Sequence, residues 1–140
     1  MKLKLLTKTM RVRPAFPDDI HVVREIAAAN GIPNYQWPAH AWGTLAVVDD
    51  RTVAFMAGRD VVGGLFIEDF WATQDADGVR GLAKLSEWLT ATSECAAKDN
   101  GGEIMVAVAV HKDNERQRNV MVRRGYEPYA EILAKKVSLG

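Results

Sequence analysis

A single cysteine, Cys95, stands in a chain of 140 residues, so an internal disulfide framework and a cysteine-based structural zinc site are both excluded. No apolar run approaches the roughly 18 residues of a membrane-spanning helix. The first residues, Met1-Lys-Leu-Lys-Leu-Leu-Thr-Lys, lack the apolar h-region and small-residue cleavage site of a signal peptide, so a cytoplasmic protein is expected. Internal repeats, low-complexity tracts and linkers are also missing. His21 and His40 stand too far from other ligand types to suggest a metal site. What is present is ordinary for a globular protein: 48% hydrophobic and 26% charged residues, enough to form one domain over 1–140.

Net charge is zero, from 18 basic and 18 acidic side chains, but the charges are unevenly placed. Residues 1–14 carry five basic side chains and no acid. Residues 15–110 hold six basic and fourteen acidic groups, and residues 111–140 hold seven basic and four acidic. Such asymmetry marks either an anion-binding end or solvated basic surfaces.

Along the chain, positions 2–14 read as a strand ending at Pro14. Pro17-Asp-Asp-Ile20 reads as a helix entry with Asp18 capping free N–H groups. Ile20, Val23, Ile26 and Ala27 recur at helical spacing up to the stop at Asn30-Gly31. The loop from Pro33 to Pro38 carries Tyr35 and Trp37 and is a candidate start for a second short helix. Leu45–Val48, a turn at Asp49-Asp-Arg51 and Val53–Met56 read as a hairpin. Val61–Ala72 reads as a longer strand with a bulge or bend at Gly63-Gly64. Thr73–Gly81 reads as a loop. A helix is predicted over 82–98, with Leu82, Leu85, Trp88, Leu89, Thr92 and Ala96 on one face and Cys95 buried as a small apolar residue. The apolar run Ile104–Val110 reads as a strand covered on both faces. A helix over 114–124 and a last strand over 129–137 complete a mixed α/β order, β-α-(α)-β-β-β-α-β-α-β.

That order, with Arg11-Val-Arg-Pro-Ala before Asp18-Asp-Ile, resembles the GCN5-related N-acetyltransferase (GNAT) superfamily. Gly78-Val-Arg-Gly-Leu-Ala83 falls where this family places its acetyl-CoA pyrophosphate loop, of pattern R/Q-x-x-G-x-G/A. Gly81 and Ala83 match its end, Arg80 matches the basic residue before the glycine, and Gly78 stands in the Arg/Gln position. Further on, Asn114, Gly125 and Tyr126 are in the family's register, whereas Gln117 replaces its usual alanine and Met121 its usual tyrosine. The resemblance implies a mostly antiparallel sheet with helices on both faces. It also implies acetyl-CoA as co-substrate, an amine acceptor, and homodimerisation through late strands.

The chemistry has a physical basis of its own. A helix N-terminus attracts phosphate, and small residues allow a close approach. Gly78, Arg80, Gly81, Leu82, Ala83 and Lys84 are thus the candidate cofactor contacts; the resemblance adds Asn114 and implies the strand end Phe70, Trp71 and Ala72 as a source of an oxyanion donor. Thioester aminolysis also needs a base. Glu68 is the first candidate, with its neighbour Asp69 expected on the opposite strand face; His111 is a weaker base or proton shuttle against a structural role. A thioether cannot supply the proton that the family's tyrosine gives to the leaving thiolate. Two readings follow: an N-acetyltransferase working by direct attack without that acid, or a GNAT-like protein with a binding or structural role. Nucleic-acid binding through Arg116, Arg118, Arg123 and Arg124 is weaker, because interleaved aromatics are missing.

Overall fold

In a computed structural model the described residues are 9–139. They divide into two compact units, one ending at Ala109 and the other starting at Val110. The basic segment before residue 9 lies outside the described residues.

The first unit is a five-stranded sheet in the order β1-β2-β3-β4-β5. The strands β1 (Met10–Pro14), β2 (Trp42–Val48), β3 (Arg51–Val61) and β4 (Gly64–Ala72) are successively antiparallel, and β5 (Met105–Val108) lies parallel to β4. Helix α1 (Ile20–Ala29) buries Val23, Ile26 and Ala27 against Leu45, Val47 and Phe55 on one face of the sheet. Helix α2 (Ala76–Asp99) packs on the other, where Gly81 lies over Val53, Ala54 and Ala46. The expected two-faced α/β sandwich is therefore the observed one.

Several boundaries differ from expectation, each for a local reason. The entry to α1 is a single 3-10 turn, Pro17–Asp19, and the acid that serves it is Asp19 instead of Asp18. Its carboxylate accepts the Phe16 N–H at 2.7 Å and two bonds from Arg13 at 2.8 and 2.9 Å. The loop after Gly31 forms no second helix; it is pinned by Trp37 Nε1 donating to the Ala41 carbonyl. The β2–β3 turn uses Asp49 and Asp50, both at positive φ (47° and 64°), the twist that joins antiparallel strands tightly. Gly63 (φ 78°) belongs to the β3–β4 turn and makes no bulge, because β3 runs on to Val61 and pairs it with Gly64.

Helix α2 starts six residues before the predicted Leu82. Glycines at 78 and 81 read as loop-forming, yet they serve close packing: a Cβ on Gly78 would be driven into the Thr73 carbonyl oxygen, and one on Gly81 would lie 3.0 Å from both Ala54 and Val53. Gly78, Gly81, Leu85 and Leu89 make the buried face. Cys95 is exposed, not buried, on the far side. Strand β5 is also more open than its apolar run suggests, since Met105 is exposed and the rest half-buried.

In the second unit, Asn114 caps helix α3 (Glu115–Arg123), its side chain accepting the Gln117 N–H at 3.1 Å. Gly125 (φ 94°) ends the helix, with Tyr126 N–H returning to the Met121 carbonyl. No strand forms over 129–137 among the described residues. A strand needs a hydrogen-bonding neighbour, and residues 127–139 are exposed throughout.

Candidate functional site

The site is organised by an irregularity in β4. Ala57 pairs with Asp69 and Gly58 with Ile67, so Glu68 is an extra residue opposite β3. A bulge of this kind interrupts the alternation of side chains. Before it, Ile67 lies with Trp42 over Gly58 on the α2 side, where the Trp42 and Trp88 rings meet at 5.5 Å. After it, Phe70 and Ala72 are buried, while Asp69 and Trp71 turn to the α1 side with Phe55 and Tyr35. Glu68 and Asp69 were expected on opposite faces; the inserted residue puts both carboxylates on the α1 side.

Their surroundings separate them. Glu68 is held by Arg59 at 2.6 Å, a partly exposed ion pair. Asp69 accepts the Tyr35 hydroxyl at 2.8 Å and a further bond from the Trp71 side chain. Burial pushes the Asp69 carboxyl above its ordinary value, the two donors opposing that rise and the Glu68 charge adding to it. Tyr35, at 6% exposure, is itself driven well above the usual phenol range by burial and by the adjacent carboxylates. The Tyr35 ring packs on Phe55 at 5.5 Å and edge-on to Trp37 at 6.4 Å. Aromatic loop and acidic strand, separate in sequence, thus meet in one polar cluster set in apolar surroundings.

The same segment lies beyond the end of the β4–β5 ladder. The β4–β5 ladder covers Gly64–Ile67 and Met105–Val108 and closes with Ala109 N–H donating to the Ile67 carbonyl at 2.8 Å. Glu68–Ala72 continue without a β5 partner. At the strand end, Asn30 Nδ2 bridges the Ile26 and Ala72 carbonyls, at 2.8 Å each, tying the C-terminus of α1 to the end of β4.

The predicted phosphate loop has a different geometry. Gly78, Arg80, Gly81, Leu82, Ala83 and Lys84 all lie inside α2. Asp75 is the N-cap, and its side chain accepts the Gly78 N–H, the Thr73 hydroxyl (both 2.8 Å) and Arg51 (2.6 Å). The Arg51 guanidinium, the Gly78 amide and the Thr73 hydroxyl hold the Asp75 carboxyl down at about 2. Asp77 adds a second acid and pairs with Arg80 at 3.5 Å. Lys84 reaches Glu87 at 3.9 Å. In this arrangement the Asp75 carboxylate already takes one of the free N–H groups at the helix N-terminus, that of Gly78. Gly81 faces the sheet, and Gly78 lies against Thr73.

In the second unit, Asn114 is engaged in capping α3. His111 is exposed, its Nδ1 accepting the Asp113 N–H at 3.2 Å, with the Asp113 carboxylate 3.7 Å away. Among the described residues no helix is long and apolar enough to cross a membrane. The pair that sequence reasoning undervalued is Tyr35–Asp69. Both residues were visible in the chain, but no composition or periodicity signal marks a one-residue bulge.

No family model matches the chain, and no curated protein matches it by sequence. Its fold does match solved structures. A ribosomal-protein-alanine N-acetyltransferase from Brucella melitensis biovar Abortus 2308 superposes with a TM-score of 0.69 at 13% identity, over 91% of this chain and 100% of that one. A transcriptional regulator from Bacillus halodurans C-125 gives 0.66 at 14%, over 92% and 100%. An aminoglycoside N-acetyltransferase, AAC(6')-Iy, in complex with CoA gives 0.60 at 16%, over 98% and 100%. The fold is that of the GNAT acetyltransferases.

Proposed function

We propose that this chain is a divergent GNAT-superfamily N-acetyltransferase that takes acetyl-CoA as co-substrate and an amine as acceptor. The observation that carries this reading is the bulge in β4 just beyond the end of the β4–β5 ladder, which sets Glu68 and Asp69 on one face of the Glu68–Ala72 segment. The acetyl thioester lies along Phe70, Trp71 and Ala72. The amine enters from the α1 side, against Tyr35 and Trp37, and its positive charge is attracted by Glu68 and Asp69.

Asp69 replaces Glu68 as the preferred base. Glu68 is committed to Arg59, whereas a carboxylate raised by burial is better matched to removing an ammonium proton. The deprotonated amine attacks the thioester carbonyl directly, and positioning supplies much of the rate. The leaving thiolate departs without a tyrosine acid, since methionine, at 121, stands in the tyrosine register of the family pattern and has no proton to give.

The acidic N-terminus of α2 favours a second reading, a GNAT-fold protein with a binding or structural role. Calorimetry with acetyl-CoA separates the two. The enzyme reading expects binding, and at 100 times the dissociation constant a gain of about 2.7 kcal/mol in stability. It then expects free thiol to appear with at least one member of a panel of amines, peptides and polyamines, and that release to fall in Asp69→Asn. Binding without thiol release would establish the second reading; no binding at millimolar acetyl-CoA would remove acetyl transfer altogether.

A further inference from the structure

Arg59 carries a donor that the fold does not use. Along β3 the side chains of Phe55, Ala57 and Arg59 alternate onto the α1 side, while Gly58 between them lies under Trp42 and Ile67 on the other. Arg59 therefore stands on the face that carries Glu68, Asp69 and Tyr35. Its Nη2 meets Glu68 Oε1 at 2.6 Å, yet its Nε is buried and has no hydrogen-bond partner among the described residues. An N–H left unmet under cover costs about 1–3 kcal/mol. A guanidinium presents its donors in a planar fork whose edge matches both oxygens of a carboxylate, and Glu68 leaves the Nε–H of that fork unmet. The side chain is 39% exposed, so it is open to a ligand from solvent. Asp69 pairs with Ala57 and Phe66 with Arg59, so the rows of acid and base lie two residues apart along β3, ~7 Å.

We propose that Arg59 is a specificity residue and that the acceptor is an amino acid, its ammonium group directed to Asp69 and its carboxylate to Arg59. This deepens the acetyl-transfer reading and rests on it for the chemistry, whereas the recognition rests on the charges of this face alone. An α-amino acid holds both charged groups on one carbon and, with a hydrogen bond at each end, spans a row spacing of that size. A polyamine brings a second ammonium against the positive charge of Arg59 and is disfavoured. A lysine side chain within a protein brings no carboxylate to the same place and gains nothing from Arg59.

A panel of amino acids, each beside the amine that lacks its carboxylate, tests this by thiol release with acetyl-CoA and by calorimetry without it. The best acceptor should be an amino acid, with kcat/KM at least ten-fold above that of its decarboxylated partner and most of the difference in KM. Arg59→Gln should bring that ratio to about one, and Arg59→Lys, which keeps the charge without the fork, should fall between. Unchanged far-UV circular dichroism confirms folding of each variant, and the comparison of acceptors in the parent protein stands without them. Thiol release with no preference for the carboxylate overturns the proposal and leaves acetyl transfer standing. So does a loss in Arg59→Gln that is equal for both acceptors, the mark of a structural role. Binding of an amino acid that Arg59→Gln abolishes, with no thiol released from any acceptor, supports the recognition and removes the enzyme reading. Neither binding nor release across the panel overturns both.

Discussion

Tyr35 and Asp69, 34 residues apart in the chain, are joined by a 2.8 Å hydrogen bond from hydroxyl to carboxylate. The bond links the aromatic loop after α1 to the bulged part of β4. Replacing Tyr35 by Phe keeps the ring and removes the donor to a half-buried carboxylate, a change expected to cost about 1–3 kcal/mol. Urea unfolding measures it. The Asp69 carboxyl should also rise further, so any activity carried by that group should shift its acidic limb to higher pH.

The same pair predicts how stability varies with pH. The folded-state pKa of Asp69 is raised above the ordinary 3.8, so its contribution is full below 3.8 and is lost as pH rises through the raised value. Asp69→Asn, permanently uncharged, should therefore gain in Tm relative to the parent as pH climbs through that window. Tyr35 behaves alike at the alkaline end. Its phenol is held neutral, and stability should fall above pH 10 in the parent and not in Tyr35→Phe. Parallel pH titrations of Tm test both signs.

Asp75 has the opposite sign. Its carboxyl is held down at about 2, so its stabilisation is present above 3.8 and disappears as pH falls through about 2. Asp75→Asn retains a capping oxygen for Gly78 and should flatten that acid limb. By removing a negative charge from the start of α2, it should also tighten acetyl-CoA binding by roughly two- to five-fold. Calorimetry on the two proteins compares the affinities; weaker binding in the variant would place the diphosphate elsewhere.

Gly78 and Gly81 should rank in a definite order. Alanine at 78 meets backbone, the Thr73 carbonyl, and should cost about 3 kcal/mol. Alanine at 81 meets the Ala54 and Val53 side chains at 3.0 Å and should cost about 1 kcal/mol. Urea midpoints decide this, and equal costs would contradict the packing geometry.

The elements most legible in the sequence are those with strong periodicity. Val23, Ile26 and Ala27 announced α1, and the Asp49-Asp50 turn announced the β2–β3 hairpin. The start of α2 was hidden because glycine reads as a breaker, whereas here it permits an approach that alanine would block. The segment 129–137 has strand-forming residues, but a strand is a property of a pair, and no partner is written into one chain's periodicity. At the site, Glu68 and Asp69 were legible as acids while their shared face was not. Alternation assumes an unbroken pleat, and the break at Glu68 is visible only in the pairing of Ala57 and Gly58 across from it.

That extra residue makes the length of β4 a determinant as much as its composition. Deleting Glu68 would leave Ile67, Asp69 and Phe70 alternating in a regular pleat, each opposite the β3 residue it faces now. Phe70 and Ala72 would keep their places, and one of the two carboxylates would be lost. The insertion therefore adds an acid to the α1 face without moving anything downstream of it. Relatives that lack the inserted residue should keep the same sheet and carry a single carboxylate beside the tyrosine.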